Sequence, residues 1–111
     1  MHEVSIMLSV LESSLDIARK EEANQITKIT LKIGEKSGVV VDSLRFAFES
    51  VRLNTIAEHA ELEIDLIPFQ GECLHCGAIF RAENFLICGQ CGNIGKLISG
   101  QELQIQSIEI D

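Results

Sequence analysis

Apolar residues near the start of the chain recur at intervals of three and four positions. They are Val4, Met7, Leu8, Leu11, Leu15 and Ala18. This spacing predicts a helix over roughly residues 4 to 22 that buries one face. The same period returns after Asp42, a residue type that favours the N-cap position, so a second helix is predicted from there to about Asn54. Its inward face is expected to consist of Leu44, Ala47, Phe48 and Val51.

Three other stretches alternate apolar with polar residues, which is typical of strands with one face on a core. Their apolar residues are Ile29, Leu31 and Ile33; Leu62, Ile64 and Leu66; and Leu103, Ile105, Ile108 and Ile110. The pattern predicts an α+β fold in which two helices pack on a three-stranded sheet. Residues 72–98 hold all four cysteines and little periodic apolar sequence. We expect them to form an inserted module within a discontinuous main domain of residues 1–71 and 99–111.

The cysteines form two Cys-x-x-Cys turns, Cys73/Cys76 and Cys88/Cys91, with eleven residues between the turns. Two intervening residues let both sulfurs of one turn reach one ion, and two turns complete a tetrahedron. We therefore expect a zinc-ribbon-like module with a structural zinc(II) ion, whose binding replaces the core that so short a segment lacks. Stable disulfides, a redox dithiol and an iron centre are the alternatives for these residues. His59 and His75 are interpreted as surface histidines.

Acidic residues outnumber Lys and Arg by 17 to 9, which gives a formal net charge of −8. This charge argues against nucleic acid as a partner, because nonspecific binding depends on cations that neutralise phosphates. No apolar run approaches the ~20 residues that a membrane-spanning helix requires, so no membrane association is expected. The N-terminal residues also lack the basic flank of a secretory signal. The sequence therefore predicts a cytoplasmic protein.

The N-terminal residues Met1, His2 and Glu3 form a second candidate metal site. The terminal amine, the His2 imidazole and the first two backbone amides can close consecutive chelate rings around a square-planar ion. Such a nitrogen-rich arrangement suits nickel(II) or copper(II). Glu3 could add a carboxylate beside the ion or its own amide nitrogen. A histidine at position two of an arbitrary chain is more often only an exposed chain end, so the triplet alone leaves both interpretations open.

Several short segments along the chain form a recognisable set. They are Met1-His2-Glu3, Ile33-Gly34-Glu35, Leu44-Arg45-Phe46-Ala47-Phe48-Glu49, Ala60-Glu61-Leu62, both Cys-x-x-Cys turns, Gly100-Gln101-Glu102-Leu103 and Ser107-Ile108-Glu109. Together these segments resemble the HypA/HybF family of hydrogenase nickel-insertion proteins. The resemblance covers nearly the whole chain. One departure is Gly89, where many members of the family carry proline.

The resemblance implies a nickel metallochaperone. It implies that His2 and the adjoining N-terminal nitrogens bind nickel(II) as transferred cargo. It also implies that zinc(II) is bound by Cys73, Cys76, Cys88 and Cys91. The implied partners are a nickel-handling maturation GTPase and the large subunit of a NiFe hydrogenase, with urease maturation proteins as further partners in some organisms.

Two other classes of function use similar cysteine patterns. A zinc-ribbon nucleic-acid-binding or transcription-associated module requires a basic face with exposed aromatic residues, yet residues 72–98 contain only Arg81 and Lys96 as cations. A thiol oxidoreductase requires a reactive cysteine of low pKa. The chain has no phosphate-binding loop, nucleophile elbow or paired-carboxylate pattern, so we expect no catalytic activity.

Overall fold

The structure is a computed structural model that describes residues 2–83 and 85–111. These residues form two helices, α1 (Glu3–Lys20) and α2 (Val41–Val51). They also form six strands, β1 (Ile26–Gly34), β2 (Glu61–Ile67), β3 (Gln70–Cys73), β4 (Ile79–Arg81), β5 (Gly95–Ser99) and β6 (Leu103–Ile110). The predicted α+β class with two helices is confirmed.

The chain divides into two compact units. The first unit consists of Met1–Lys32, Val39–Asp65 and Gln104–Asp111. The second unit consists of Ile33–Gly38 and Leu66–Leu103, and it contains all four cysteines. Both units are therefore assembled from segments that lie apart in the sequence.

Helix α1 buries a narrower face than its apolar pattern predicts. The face consists of Met7, Leu11 and Ala18 together with Ser14, whose hydroxyl donates to the Val10 carbonyl at 2.8 Å. Val4 and Leu8, which the pattern assigns to the buried face, are 57% and 44% exposed. The assignment is wrong because these two residues lie about 50° and 90° round the helix axis from the centre of the buried stripe, at ~100° per residue. They flank the stripe instead of forming it.

Helix α2 begins before its predicted N-cap. Val40 occupies the N-cap position and Asp42 lies in the first turn, so the prediction of Asp42 as the N-cap is wrong. The Val40 N–H donates to Oε2 of Glu3 at 3.4 Å, so a residue of the other helix supplies an acceptor at this end. Of the four predicted inward residues, Leu44, Ala47 and Phe48 are buried and Val51 is half-buried. Helix α2 packs against α1. Neither helix among the described residues is long and apolar enough to cross a membrane.

Strand β1 is the centre of a three-stranded sheet with the order β2-β1-β6. Ile29 and Leu31 of this strand are fully buried, as the alternating pattern predicts. At the start of β1, Gln25 and Asp111 exchange backbone hydrogen bonds in both directions, at 3.3 and 2.9 Å. Such a mutual pair is characteristic of antiparallel neighbours. The predicted three-stranded sheet is thus confirmed.

The second unit has a small sheet of its own, which the sequence pattern does not predict. Its order is β4-β3-β5, and both pairs of strands are antiparallel. The ring of Phe80 packs over two glycines, since a Cβ added to Gly71 or Gly95 would lie 3.0 or 2.7 Å from Phe80 Cζ. These strands have only three to five residues, and Gly71 and Gly95 occupy positions where an apolar side chain would mark a strand. The alternation of apolar and polar residues therefore does not predict them.

The second unit extends beyond residues 72–98, the expected limits of the cysteine module. It includes the segment that follows β1, because Glu35 in that segment contacts two distant residues. Oε1 of Glu35 accepts the Phe69 N–H at 2.8 Å, and Oε2 pairs with the Arg81 guanidinium. These contacts join residues far apart in the sequence, and composition gives no sign of them.

Candidate metal sites

The first Cys-x-x-Cys turn follows directly from strand β3, which ends at Cys73. The Cys73 N–H donates to the Ala78 carbonyl at 2.8 Å, and the Gly77 N–H donates back to the Cys73 carbonyl at 3.0 Å. Gly77 has a φ of +75°, which glycine adopts without strain. The chain therefore curls around the Cys73 sulfur, which accepts the N–H groups of His75 and Cys76 at 3.4 Å each.

The second turn repeats this geometry. The Cys88 N–H donates to the Asn93 carbonyl at 2.9 Å, and the Gly92 N–H donates to the Cys88 carbonyl at 2.9 Å. Gly92 also has a φ of +75°. The Cys88 sulfur accepts the Gln90 N–H at 3.4 Å. In both turns backbone donors point at the first sulfur. In the second turn the N–H groups of Cys91 and Gln90 lower the pKa of the Cys88 thiol.

The structure brings the four cysteines together, with their sulfur atoms within 4.8 Å of one another. Cys73 Sγ lies 3.3 Å from Cys91 Sγ, and Cys76 Sγ lies 3.8 Å from the sulfurs of both Cys88 and Cys91. A tetrahedral ion with metal–sulfur bonds of about 2.3 Å holds its sulfurs about 3.8 Å apart. All four cysteines are free thiols. They are therefore positioned for one tetrahedral metal ion such as zinc.

The pKa values of Cys91 and Cys76 also fit a site for a cation. Hydrogen bonds from the Asn93 side chain and backbone, together with the neighbouring Cys73 thiol, lower the pKa of Cys91 to about 6. The Ala78 N–H acts to lower the pKa of Cys76, but the Cys73 thiol, desolvation and the other two thiols outweigh it and raise that pKa to about 11. Thiols this close cannot all ionise without a positive charge among them. A divalent cation bound among the sulfurs would supply that charge.

Asn93 is a site residue that sequence reasoning missed. Its side-chain Nδ2 donates to Cys91 Sγ at 3.3 Å. Cys91 is exposed whereas Cys73 and Cys88 are buried, so this donor contacts a sulfur that solvent can also reach. An amide side chain two residues after the last cysteine is the signal that could have identified it.

His2 lies in the first unit, at the N-cap of α1. Its side chain is exposed, and its carbonyl accepts the Ile6 N–H at 2.9 Å. The helix thus begins at the residue directly after His2, which holds the imidazole at a solvent-facing end of α1. Met1, another residue of the predicted nickel site, lies outside the described residues.

Glu3, the third residue of the predicted nickel site, is a buried acid at the start of α1. Its carboxylate accepts the Val40 N–H at the start of α2, where a negative charge is favoured by the helix dipole. Sequence reasoning considered Glu3 only as a carboxylate beside the metal or as a source of an amide nitrogen. The structure adds a contact that fixes the residue next to His2.

The other two histidines lie apart from the cysteine cluster. His59 is exposed in the loop before β2, and His75 is exposed within the first turn, where its backbone and not its imidazole contacts a sulfur. Across residues 2–83 and 85–111, the four cysteines are the one group of three or more side chains arranged to hold a metal ion.

Residues 1–110 match the family model described as hydrogenase/urease nickel incorporation, metallochaperone, hypA. The hydrogenase maturation factor HypA of Chlorobaculum tepidum is 42% identical over the full length of both chains. The corresponding factor of Caldanaerobacter subterraneus subsp. tengcongensis is 37% identical, again over the full length of both chains.

Solved structures agree with these sequence matches. The solution structure of the nickel metallochaperone HypA from Helicobacter pylori is similar with a TM-score of 0.70 and 26% identity, covering 99% of this chain and 97% of that one. A second HypA solution structure has a TM-score of 0.75 and 27% identity, covering 100% and 97%. A match over nearly every residue, with the cysteine cluster in place, leads to one conclusion: the chain belongs to the HypA family of nickel-incorporation metallochaperones.

Proposed function

We propose that this protein binds nickel(II) at its N-terminus and delivers it during the maturation of NiFe hydrogenase, while a zinc(II) ion held by its cysteines serves a structural role. The observation that carries the nickel part is the position of His2, exposed at the first turn of α1 and followed by an anchored residue. The family to which the chain belongs supports the same function.

The proposed nickel ligands are the nitrogens at the chain end. The His2 imidazole, the terminal amine of Met1 and the first backbone amides would surround a square-planar ion. The His2 N–H precedes the helix, so the helical hydrogen-bond pattern does not compete for that nitrogen. Glu3 would act by holding the start of α1 in place through its contact with Val40.

The proposed zinc ligands are Cys73, Cys76, Cys88 and Cys91. Four protein sulfurs fill a tetrahedral site, which leaves no open position for substrate, so this ion would be structural and not catalytic. Its binding would supply folding free energy to a unit that has few large buried side chains, about 10–16 kcal/mol in comparable small zinc modules. The closed four-sulfur site therefore supports separate roles for the two units, in which the first unit binds nickel and the second binds zinc.

Delivery would proceed by ligand exchange. At an exposed site, the ligands of an acceptor protein can replace the nitrogens of the chaperone one at a time. The nickel ion is then transferred without being released into solvent. The proposed acceptors are a nickel-handling maturation GTPase and the hydrogenase large subunit, with urease maturation proteins as further partners. The proposed location is the cytoplasm. The net charge of −8 supports protein partners over nucleic acid.

A transfer assay tests this function. Zinc-loaded protein carrying one equivalent of nickel is mixed with the nickel-free precursor of the hydrogenase large subunit and with the GTPase, and the nickel content of the precursor is measured over time. We expect transfer from the wild type and from His59→Ala, a matched exposed histidine, but not from His2→Ala. Equal transfer from His2→Ala would contradict the proposal.

A further inference from the structure

A cleft of about 300 Å³ lies between the starts of the two helices, within the first unit. It is lined by Glu3, Val4, Asp42, Ser43, Phe46 and Ala47. Phe46 is 77% exposed and Val4 is 57% exposed, so two large apolar side chains of this cleft face solvent. Neither side chain contributes to the buried face of its helix, and the proposed nickel ligands do not include them.

The cleft also contains a negative charge without a counterion. Asp42 and Phe46 are four residues apart on α2 and therefore lie on the same face of the helix. The Asp42 carboxylate makes no ion pair or hydrogen bond within the part of the chain that the structure describes. The Glu3 carboxylate is already engaged with the Val40 N–H. Among the residues that the structure describes, no lysine, arginine or histidine lines the cleft. The exposed ring of Phe46 and the carboxylate of Asp42 therefore stand side by side.

We propose that this cleft receives a lysine or arginine side chain from the protein that accepts the nickel. Such a side chain has an apolar stem that can lie against Val4 and the face of Phe46, and a cation that can reach Asp42. This inference rests on the proposed function, because Glu3 and Val4 directly follow His2 in the chain. A partner anchored here would hold its own metal ligands beside the nickel site.

The negative charge of the cleft and of the whole chain favours a basic side chain over a second copy of the chain, a membrane surface or a nucleic acid as the occupant. A second copy of the chain, with its net charge of −8, would bring like charges together at the cleft. An anionic membrane surface or a nucleic acid would meet the same repulsion. A protein segment with an exposed basic residue gains both electrostatic attraction and burial of the apolar surface.

The test measures the affinity of nickel-loaded protein for the hydrogenase large-subunit precursor and for the maturation GTPase, at low and high salt. The variants are Phe46→Ala and Asp42→Asn. One matched control is Leu53→Ala, which also truncates an exposed apolar residue, two positions beyond the end of α2. The other is Asp65→Asn, which removes an exposed negative charge on β2. Nickel binding by each variant is measured separately by calorimetry.

We expect each cleft variant to weaken binding of one partner by about tenfold or more, as truncation at an interface anchor does, while both controls stay within about twofold of the wild type. Asp42→Asn should also reduce the dependence of partner affinity on salt.

Unchanged partner affinity in both cleft variants would overturn the inference while leaving the proposed function intact. Failure of the wild type to bind either partner would instead contradict the proposed function. A loss of self-association in Phe46→Ala would assign the cleft to a second copy and overturn the inference.

Discussion

The backbone N–H of Val40 donates to Oε2 of Glu3 at 3.4 Å, so the first residue of α1 is tied to the residue that precedes α2. His2 comes directly before Glu3, and the proposed nickel ligand is therefore attached to an anchored position. One carboxylate thus links the start of both helices and one wall of the cleft between them.

Replacing Glu3 with glutamine should lower the stability of the first unit. Glutamine keeps an acceptor oxygen but loses the charge, and a negative charge at the start of a helix is favoured by the helix dipole. We expect the melting temperature to fall by a few degrees and nickel binding to weaken without being abolished. Glu12→Gln, which changes an exposed residue of the same helix, is the control. Identical melting temperatures for the two variants would show that the Val40 contact has no stabilising effect.

Gly34→Ala should severely destabilise the second unit. A Cβ on Gly34 would lie 2.1 Å from the backbone carbonyl carbon of Gly100, and backbone cannot rotate away as a side chain can. We expect a loss of about 2–3 kcal/mol or more in the free energy of unfolding, measured by urea denaturation of zinc-loaded protein.

Gly89→Ala is the matched control for that variant. An added Cβ on Gly89 would meet no atom within 4 Å, and Gly89 does not have a positive φ. It should therefore be neutral or stabilising by about 0.4–1 kcal/mol, through a less flexible unfolded chain. Equal destabilisation by the two substitutions would contradict the close approach of Gly34 to Gly100.

Asn93→Ala should weaken metal retention by the cysteines. The side-chain amide donates to Cys91 Sγ at 3.3 Å and is the largest cause of the lowered pKa of that thiol, about 6. Without it the pKa of Cys91 rises, so protons displace zinc at a higher pH, and zinc affinity should fall about tenfold. Competition with a chromogenic chelator between pH 5 and pH 8 measures both effects.

Gln90→Ala serves as the control for Asn93→Ala. Gln90 donates to Cys88 Sγ through its backbone N–H, which alanine retains. Zinc release by Gln90→Ala should therefore follow the wild-type pH profile. If Asn93→Ala also followed that profile, the side-chain donor would have no part in holding the metal.

Glu35 should make the second unit sensitive to acid. The Phe69 N–H, which donates to this carboxylate, and the adjacent Arg81 hold the pKa of Glu35 below its ordinary value of 4.5. A carboxyl group whose pKa is lowered by folding contributes stability that is complete above its unfolded value and is lost as the pH falls through its folded value. The contribution should therefore be complete above about pH 4.5, decline as the pH falls through the lower folded pKa, and be absent at every pH in Glu35→Gln.

Amide hydrogen exchange at Phe69 in zinc-loaded protein measures this contribution locally. We expect faster exchange of that amide in Glu35→Gln than in the wild type at pH 6. Glu83→Gln, an exposed acid in the same unit, should exchange as the wild type does. Equal protection of Phe69 in the wild type and Glu35→Gln at pH 6 would contradict this account.

Local patterns in the sequence predicted the elements whose apolar spacing is regular. The strands around Ile29, Leu62 and Leu103 lie where alternation places them, and the two Cys-x-x-Cys turns meet as their spacing indicates. These predictions succeed because period and short-range spacing depend only on neighbouring residues. Their success extends to the fold class and to the convergence of the four cysteines.

Predictions that depended on distant contacts were less successful. Asp42 has the residue type of an N-cap, but Glu3 from the other helix contacts the residue before α2, and no local pattern indicates that. Val4 has helical spacing but flanks the buried stripe and remains exposed. The small sheet of the second unit was not predicted because Gly71 and Gly95 occupy positions where apolar residues would mark a strand.

The central claim is that the transferable ion is held by the chain end and not by the sulfur cluster. Calorimetric titration of nickel(II) into zinc-loaded wild type and its His2→Ala variant, with zinc content measured in parallel, tests it most directly. We predict that His2→Ala loses nickel binding and keeps about one zinc per chain, as expected of a filled four-sulfur site. Undiminished nickel uptake by His2→Ala, or uptake accompanied by loss of zinc, would contradict the account.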